Sequence, residues 1–266
     1  MTELNPPPSA LPSRLSLDQI LRYGKVVYTH NPTAPNQIYI IAQIHSIERD
    51  ERVEFSAQTP KAQAEIFRLA GHIISSGEAN LLLSEGRYIQ KDYYVENTRL
   101  RDPRFAWLKV PNTATDKGLE QNIALLLEQG IDSDALLIAT FPNLDVQGAE
   151  DEKVGELLPE ITRMAEGGVL TQQLFEHLIA YRSGYILNSS PIAIEREIAS
   201  ARISKKSAIL TIGSGHLGQI VSYIERGEIN LPPLMSRGKE YPGLQVKLDL
   251  KSLGYGVTII KPLSIV

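Results

Sequence analysis

Short aliphatic runs, each followed by a polar residue, constrain the fold of this chain more than any other feature. The clearest run, residues 38–44, is rich in β-branched side chains and does not alternate strictly between apolar and polar positions. A strand of this kind is buried on both faces, as strands of parallel sheets are. Residues 81–83 and 208–212 repeat the pattern. The sequence therefore predicts a mostly parallel sheet.

Helical signals separate these runs. Thr59 and Pro60 are typical of a helix start, and Gly77 is typical of a helix end. A strand, a crossover helix and a second strand in one sheet are parallel and right-handed. Residues 135–140 are predicted as a third buried strand, and a helix is predicted after residues 208–212. The alternation predicts an α/β fold with helices on both faces of the sheet.

The chain is predicted to form a single α/β domain over residues 16–266, after a flexible N-terminal arm at residues 1–15 that is rich in Pro and Ser. Two stretches break the alternation of strands and helices. Residues 87–113 carry aromatic side chains among basic ones, and residues 151–202 are mainly helical, with an interruption at Pro191. We interpret both as insertions, and the second as a helical cap.

Composition narrows the function classes. The chain has 27 basic and 31 acidic side chains and a formal net charge of -4, which is unlike a nucleic-acid binder. It contains no cysteine, which excludes disulfides, thiolate metal ligands and a cysteine nucleophile. No apolar run reaches the length of a transmembrane segment. The compartment stays open: the sequence as it stands fits the cytoplasm, and export would fit if a signal peptide had been removed. A homo-oligomer also stays open.

Polar residues that follow the aliphatic runs predict a site. His45, Glu85 and His216 each come shortly after a predicted strand. In open α/β sheets, ligands bind outside the carboxyl ends of the strands, which lie on one edge. Imidazole and carboxylate groups serve there as acids, bases or metal ligands. Each residue alone also fits a polar side chain that ends a strand, but together they predict a shared site.

The turn before His216 adds a second signal. Gly213, Ser214 and Gly215 join a predicted strand to a predicted helix. Two glycines permit a tight turn and a close approach of the backbone to a ligand. The first N–H groups of the following helix can bind an anion or an oxyanion. The same sequence fits a tight turn without a ligand, and the adjacent His216 favours the binding interpretation.

Other charged residues have two interpretations each. Arg196, on a predicted helix, could donate to a carboxylate, a phosphate or an oxyanion. Alternatively, it could form an exposed ion pair that contributes little to stability. Asp145, Glu150 and Asp151 fit either a metal site or the negatively charged first turn of a helix.

The segment after the predicted strand at 208–212 resembles a known signature. Its residues Gly213-Ser214-Gly215-His216-Leu217-Gly218 are similar to the G-x-G-H-L-x-G motif of the TraB/PrgY/GumN group. That group belongs with the TIKI proteases, the ChaN-like haem proteins and the erythromycin esterases in one broad superfamily. The superfamily pattern comprises a G-x-x-H motif after the first strand, a glutamate after the second, an E-R dipeptide on a helix and a second G-x-x-H motif near the C-terminal end. Its counterparts here are His45, Glu85, Glu195-Arg196 and His216.

The resemblance implies a hydrolase-like enzyme of peptidase or esterase type that acts on a small molecule or a peptide. His45, Glu85 and His216 would hold a divalent metal such as Mn, Fe, Co or Zn. Alternatively, His45 would act without metal as a general base held by Glu85. Arg196 would stabilise the negative charge that develops on the attacked group.

Two alternatives stay open. A haem- or iron-binding protein of the ChaN-like type would use histidine or tyrosine as axial ligand, with Tyr88, Tyr93 or Tyr94 as candidates. The second alternative is a catalytically degenerate interaction protein. It is suggested by Ala42, which stands where the first G-x-x-H motif of the family has glycine. The added methyl group crowds the backbone at that strand end.

Overall fold

The structure of the chain is a computed structural model. It describes residues 17–44, 47–49, 52–54, 56–88, 115–128, 132–150, 157, 164, 167 and 171–265. The predicted arm at residues 1–15 and most of the predicted insertion at 87–113 lie outside these ranges, as does most of 151–170.

The helices and strands are numbered separately in chain order. The helices are α1 (Leu17–Tyr23), α2 (Thr59–Ser75), α3 (Asp116–Leu127), α4 (Ser133–Thr140), α5 (Gln172–Ala199) and α6 (Leu217–Arg226). The strands are β1 (Gly24–His30), β2 (Asn36–Gln43), β3 (Ile47–Arg49), β4 (Arg52–Glu54), β5 (Leu81–Tyr88), β6 (Asp145–Glu150), β7 (Ala208–Gly213), β8 (Glu228–Leu231), β9 (Leu234–Ser236), β10 (Lys239–Tyr241), β11 (Leu244–Lys247) and β12 (Tyr255–Pro262). Short 3-10 turns follow β7 (Ser214–His216) and β12 (Leu263–Ile265).

Six strands form the central sheet, in the order β1-β12-β2-β7-β5-β6. Strand β1 is antiparallel to β12, whereas the other pairs run parallel. The aliphatic runs occupy the centre of this sheet: Ile40 of β2 pairs with Leu210 of β7, and Leu83 of β5 pairs with the same Leu210 from the other side. The predicted α/β fold with a mostly parallel sheet is confirmed.

Helices cover both faces of the sheet, as the lack of alternation in the strands predicts. One apolar core packs α1 to α4 against residues such as Tyr39 and Leu82. The other packs α5 and α6 against the opposite side chains, such as Ile40 and Leu83. None of the described helices has the length and apolar character needed to cross a membrane.

Connections from two neighbouring strands leave the sheet in opposite directions. The chain passes from β2 through α2, on the first face, to β5. It passes from β7 through α6, on the second face, to β12. Because β2 and β7 are adjacent, their carboxyl ends flank the point at which the strand order reverses. Ligands of open α/β sheets bind in the crevice at this point.

Two elements differ from the sequence prediction. Residues 135–140 belong to helix α4, not to a strand, and Asp132 caps this helix by accepting a hydrogen bond from the backbone N–H of Ala135 at 3.0 Å. The run is buried on all sides, and a short, wholly buried run has no periodicity that separates helix from strand. The edge strand is β6 instead, so Asp145 and Glu150 are the two ends of a strand.

The predicted interruption at Pro191 is wrong. Helix α5 continues through it from Gln172 to Ala199. Its packing against the sheet compensates for the hydrogen bond that proline cannot make. Next to the proline, the Ser189 hydroxyl donates to the carbonyl oxygen of Ala149 in β6 at 3.1 Å. This contact fixes the helix to the sheet edge, and one continuous helix therefore runs along that edge.

Candidate functional site

The carboxylate of Glu85 joins the carboxyl ends of two strands. Glu85 lies on β5, and the backbone N–H of Gly213, the last residue of β7, donates to Glu85 Oε2 at 2.5 Å. The side chain of Glu85 is 7% exposed. A carboxylate that accepts a backbone N–H at a strand end is held in one orientation, which is a requirement for a catalytic or binding group.

His216 contacts the other oxygen of the same carboxylate. The turn of Gly213, Ser214 and Gly215 leads directly to His216, and its buried ring places Nε2 3.0 Å from Glu85 Oε1. The structure therefore brings together Glu85, His216 and Gly213, which the sequence had placed at separate strand ends.

The second ring nitrogen of His216 faces a hydroxyl group on helix α5. Ser183 Oγ lies 2.8 Å from Nδ1 of His216 and donates to the carbonyl oxygen of Ile179 at 2.6 Å. Which of the two atoms donates at the Nδ1 contact depends on the tautomer of the ring. Nε2 faces a carboxylate oxygen, which can only accept, so Nε2 donates to Glu85.

Arg182, one residue before Ser183, connects two carboxylates. Its Nη2 donates to Glu85 Oε1 at 2.9 Å, and its Nε and Nη2 donate to Glu150 Oε1 at 2.9 and 2.5 Å. Glu150 is the last residue of β6. The carboxyl ends of β5, β6 and β7 thus meet in one hydrogen-bonded cluster, which we define as Glu85, Glu150, Arg182, Ser183 and His216 and call the site cluster.

Glu150 is the most deeply buried member, with 0% exposure. Its Oε2 has no hydrogen-bond partner among the described residues. Burial raises the pKa of Glu150 above its ordinary value, with a further rise from the negative charge of Glu85, and Arg182 and His216 oppose the shift. The buried carboxyl group therefore holds a proton more tightly than it would in water.

The site cluster pairs acidic groups with basic ones. The carboxyl groups of Glu85 and Glu150 face the guanidinium of Arg182 and the imidazole ring of His216. Burying a charge without a partner is costly, so such groups are paired. A cluster of four ionisable groups placed at the carboxyl edge of a parallel sheet is typical of a functional site.

Arg196 does not share this site. Its Nη2 donates to Gln147 Oε1 at 3.0 Å and its Nε donates to Glu197 Oε1 at 2.9 Å. Fourteen positions separate it from Arg182 on helix α5, which corresponds to about 21 Å along the axis. The expectation that Arg196 faces Glu85 and His216 is not met, because the antiparallel course of α5 takes it back toward the amino end of β6. Arg182 occupies the expected place.

His45 lies outside the described residues. It is two positions beyond Gln43, the last residue of β2, which pairs with Gly213 of β7. Ala42, where the family motif has glycine, is fully buried and pairs with Ile212. The backbone therefore leads toward the same edge of the sheet as Glu85 and His216, and a shared site with His45 stays a prediction.

The described residues by themselves form no metal site. Within the described part of the chain, no group of three His, Asp or Glu side chains is arranged to hold a metal. The ligand set that includes His45, and the haem ligands Tyr93 and Tyr94, fall outside that part.

A second polar group lies behind the site cluster, on the opposite face of the same strands. Asp134, in the first turn of α4, is buried. Its Oδ2 accepts hydrogen bonds from the hydroxyls of Ser84 in β5 and Thr211 in β7, both at 2.7 Å. Ser84 immediately precedes Glu85. Asp134 therefore fixes the two strand ends that carry Glu85 and Gly213.

Sequence reasoning missed Arg182 and Ser183, and it named Glu150 only within an acidic cluster that fitted a metal site or the first turn of a helix. A signal for Arg182 was present, since it is the sole Asp, Glu, Lys or Arg between Glu176 and Glu195. A single arginine in a long apolar stretch implies a buried acidic partner. Glu150 gave no such signal, because the strand that carries it had been assigned to the wrong residues.

Comparison of the chain with family models, with curated proteins and with solved structures found no match in any of the three. The likeness to the TraB/PrgY/GumN signature therefore rests on the motif residues alone.

Proposed function

We propose that this protein is a hydrolase-like enzyme in which Glu85 and His216 act as a base and acid pair. The observation that carries the proposal is the contact of His216 Nε2 with Glu85 Oε1, 3.0 Å long and nearly buried, at the strand ends where α/β sheets bind ligands. The resemblance of the Gly213–His216 segment to enzymes of peptidase and esterase type supports the same reaction class.

The proposed reaction uses each group in one form. The carboxylate form of Glu85 accepts a proton from an attacking water molecule, and the imidazolium form of His216 gives a proton to the leaving group. In the balanced reaction, an O–H bond of water and the bond to the leaving group break. A bond from the water oxygen to the attacked atom and a bond from the leaving group to hydrogen form. Proton return from Glu85 to His216 restores the pair.

Ser183 and Arg182 position these two groups. Ser183 fixes the ring of His216 through Nδ1, and Arg182 fixes the carboxylate of Glu85 through Oε1. Such support limits the movement of the reacting groups and so reduces the reorganisation needed during reaction.

The experiment is hydrolysis of three chromogenic substrate classes, namely p-nitrophenyl esters, amino-acid p-nitroanilides and p-nitrophenyl phosphate. The wild type is expected to hydrolyse at least one class, and Glu85→Gln and His216→Gln are expected to lose about 10²–10⁴-fold in rate. The matched control is His177→Gln, because His177 also lies on a described helix and its ring contacts a backbone carbonyl, that of Pro242. Circular dichroism of each variant verifies folding. No hydrolysis by the wild type, or equal rates in the site variants and the control, would refute the proposal.

A further inference from the structure

The guanidinium of Arg182 has donors that the described part of the chain does not use. An arginine carries five N–H donors. The bonds from Nε and Nη2 to Glu150 and Glu85 occupy three of them. Nη1 carries the other two, and no acceptor for it is found among the described residues. The side chain of Arg182 is 10% exposed, and Nη1 is not among the fully buried atoms without a partner. These donors therefore remain available to a ligand.

The neighbouring turn offers backbone donors and free space. Helix α6 follows the 3-10 turn Ser214–His216, and neither helix start is capped by a side chain. Gly215 is exposed, and a Cβ atom added there would meet no atom within 4 Å. Glu85 links this turn to Arg182, because one of its oxygens accepts from Gly213 and the other from Arg182. The unused guanidinium donors and the uncapped turn thus lie on either side of one carboxylate.

We propose that Arg182 Nη1 and the backbone of Ser214 and Gly215 bind an oxyanion, a carboxylate or phosphate group, of the substrate. That the anion is part of a substrate rests on the proposed hydrolytic function. The binding of the anion itself can be measured without turnover. Guanidinium N–H groups and helix N-termini are both preferred ligands of such anions. Glu85 and Glu150 accept from Nε and Nη2, so an anion bound by Nη1 adds to Arg182 without displacing either carboxyl group.

The proposal is tested by calorimetric titration of the full chain, once with inorganic phosphate and once with acetate. Chloride keeps the ionic strength constant. Saturable binding of one of the two to the wild type is expected, and which of them binds identifies the group. Gly215→Asp is expected to weaken binding at least about tenfold, because it places a negative charge beside the site. Two variants serve as controls. Gly215→Asn adds a side chain of the same size without charge, and Gly218→Asp adds the charge in similarly open space at another position. Both are expected to change the dissociation constant by less than about threefold.

Arg182→Lys is the second variant, since lysine keeps the charge and lacks the forked donors. It is expected to lose binding even where circular dichroism shows a native fold. Binding of neither anion to the wild type, equal weakening by Gly215→Asp and Gly218→Asp, or unchanged binding by Arg182→Lys would overturn the proposal. Anion binding without hydrolysis of any substrate class would leave this inference standing and refute the proposed enzyme. Hydrolysis without anion binding would do the reverse.

Discussion

Replacing Arg182 by methionine should destabilise the protein strongly. Methionine has a similar length and no charge, so the change leaves the carboxylates of Glu85 and Glu150 without their shared cation. These side chains are 7% and 0% exposed, respectively, so water cannot replace the lost hydrogen bonds. Removing one partner of a buried ion pair costs about 3–5 kcal/mol. Urea-induced unfolding, followed by circular dichroism, should show this decrease in the free energy of unfolding.

A double-mutant cycle identifies the cause. In the Arg182→Met background, Glu150→Gln removes the more deeply buried charge, so the double variant should be more stable than the sum of the single effects by about 1–3 kcal/mol. The control is Arg22→Met. The side chain of Arg22 is 61% exposed and contacts Asp116 at 3.5 Å, and an exposed pair of this kind contributes about 0–1 kcal/mol. Equal losses in the Arg182 and Arg22 variants, or additive effects in the cycle, would refute the pairing of Arg182 with the buried carboxyl groups.

Two further predictions concern buried carboxyl groups. The pKa of Glu150 is raised in the folded state, so its protonated form stabilises the protein below the ordinary glutamate pKa, and this contribution is lost as the pH rises through the raised value. As the pH rises from the ordinary glutamate pKa to the raised value, the free energy of unfolding of the wild type should therefore fall relative to that of Glu150→Gln. Urea unfolding measured from pH 4 to pH 8 would contradict this if the two proteins showed the same dependence of stability on pH. Asp134→Ala should cost about 3 kcal/mol or more, because Asp134 accepts two hydrogen bonds and bonds to a charged group contribute about 1.5–3 kcal/mol each. A loss below about 1 kcal/mol in urea unfolding would show that Asp134 does not join the strand ends.

The central strands could be predicted because their sequence pattern has a single physical explanation. Aliphatic runs without alternation, as in β2, β5 and β7, keep all their side chains away from water only when both faces of the strand are buried. A parallel sheet between two layers of helices provides this burial. The assignment failed at α4 and β6. The apolar run of α4 is shorter than two helical turns, so its sequence shows no helical period. Strand β6 carries glycine, glutamine and two acidic residues in place of an aliphatic run.

The candidate site was only partly accessible from sequence. Glu85 and His216 follow recognisable strands, so their meeting could be predicted from the common direction of those strands. Arg182 and Arg196 lie on the same helix, and the choice between them depends on which end of α5 faces the carboxyl edge of the sheet. That is set by the antiparallel packing of α5 on β6, which no local pattern encodes.

The hydrogen bond between His216 and Glu85 tests the central claim most directly, because its measurement requires no substrate. The chain has five histidines, so the ring signals of His216 in a ¹⁵N-labelled sample can be assigned by comparison with His216→Gln. The contact of Nε2 with Glu85 Oε1 predicts a hydrogen-bonded proton on Nε2, and a shift of the Nε2 signal in Glu85→Gln. An Nε2 without a proton in the wild type, or ring signals unaffected by Glu85→Gln, would contradict the contact on which the proposed chemistry depends.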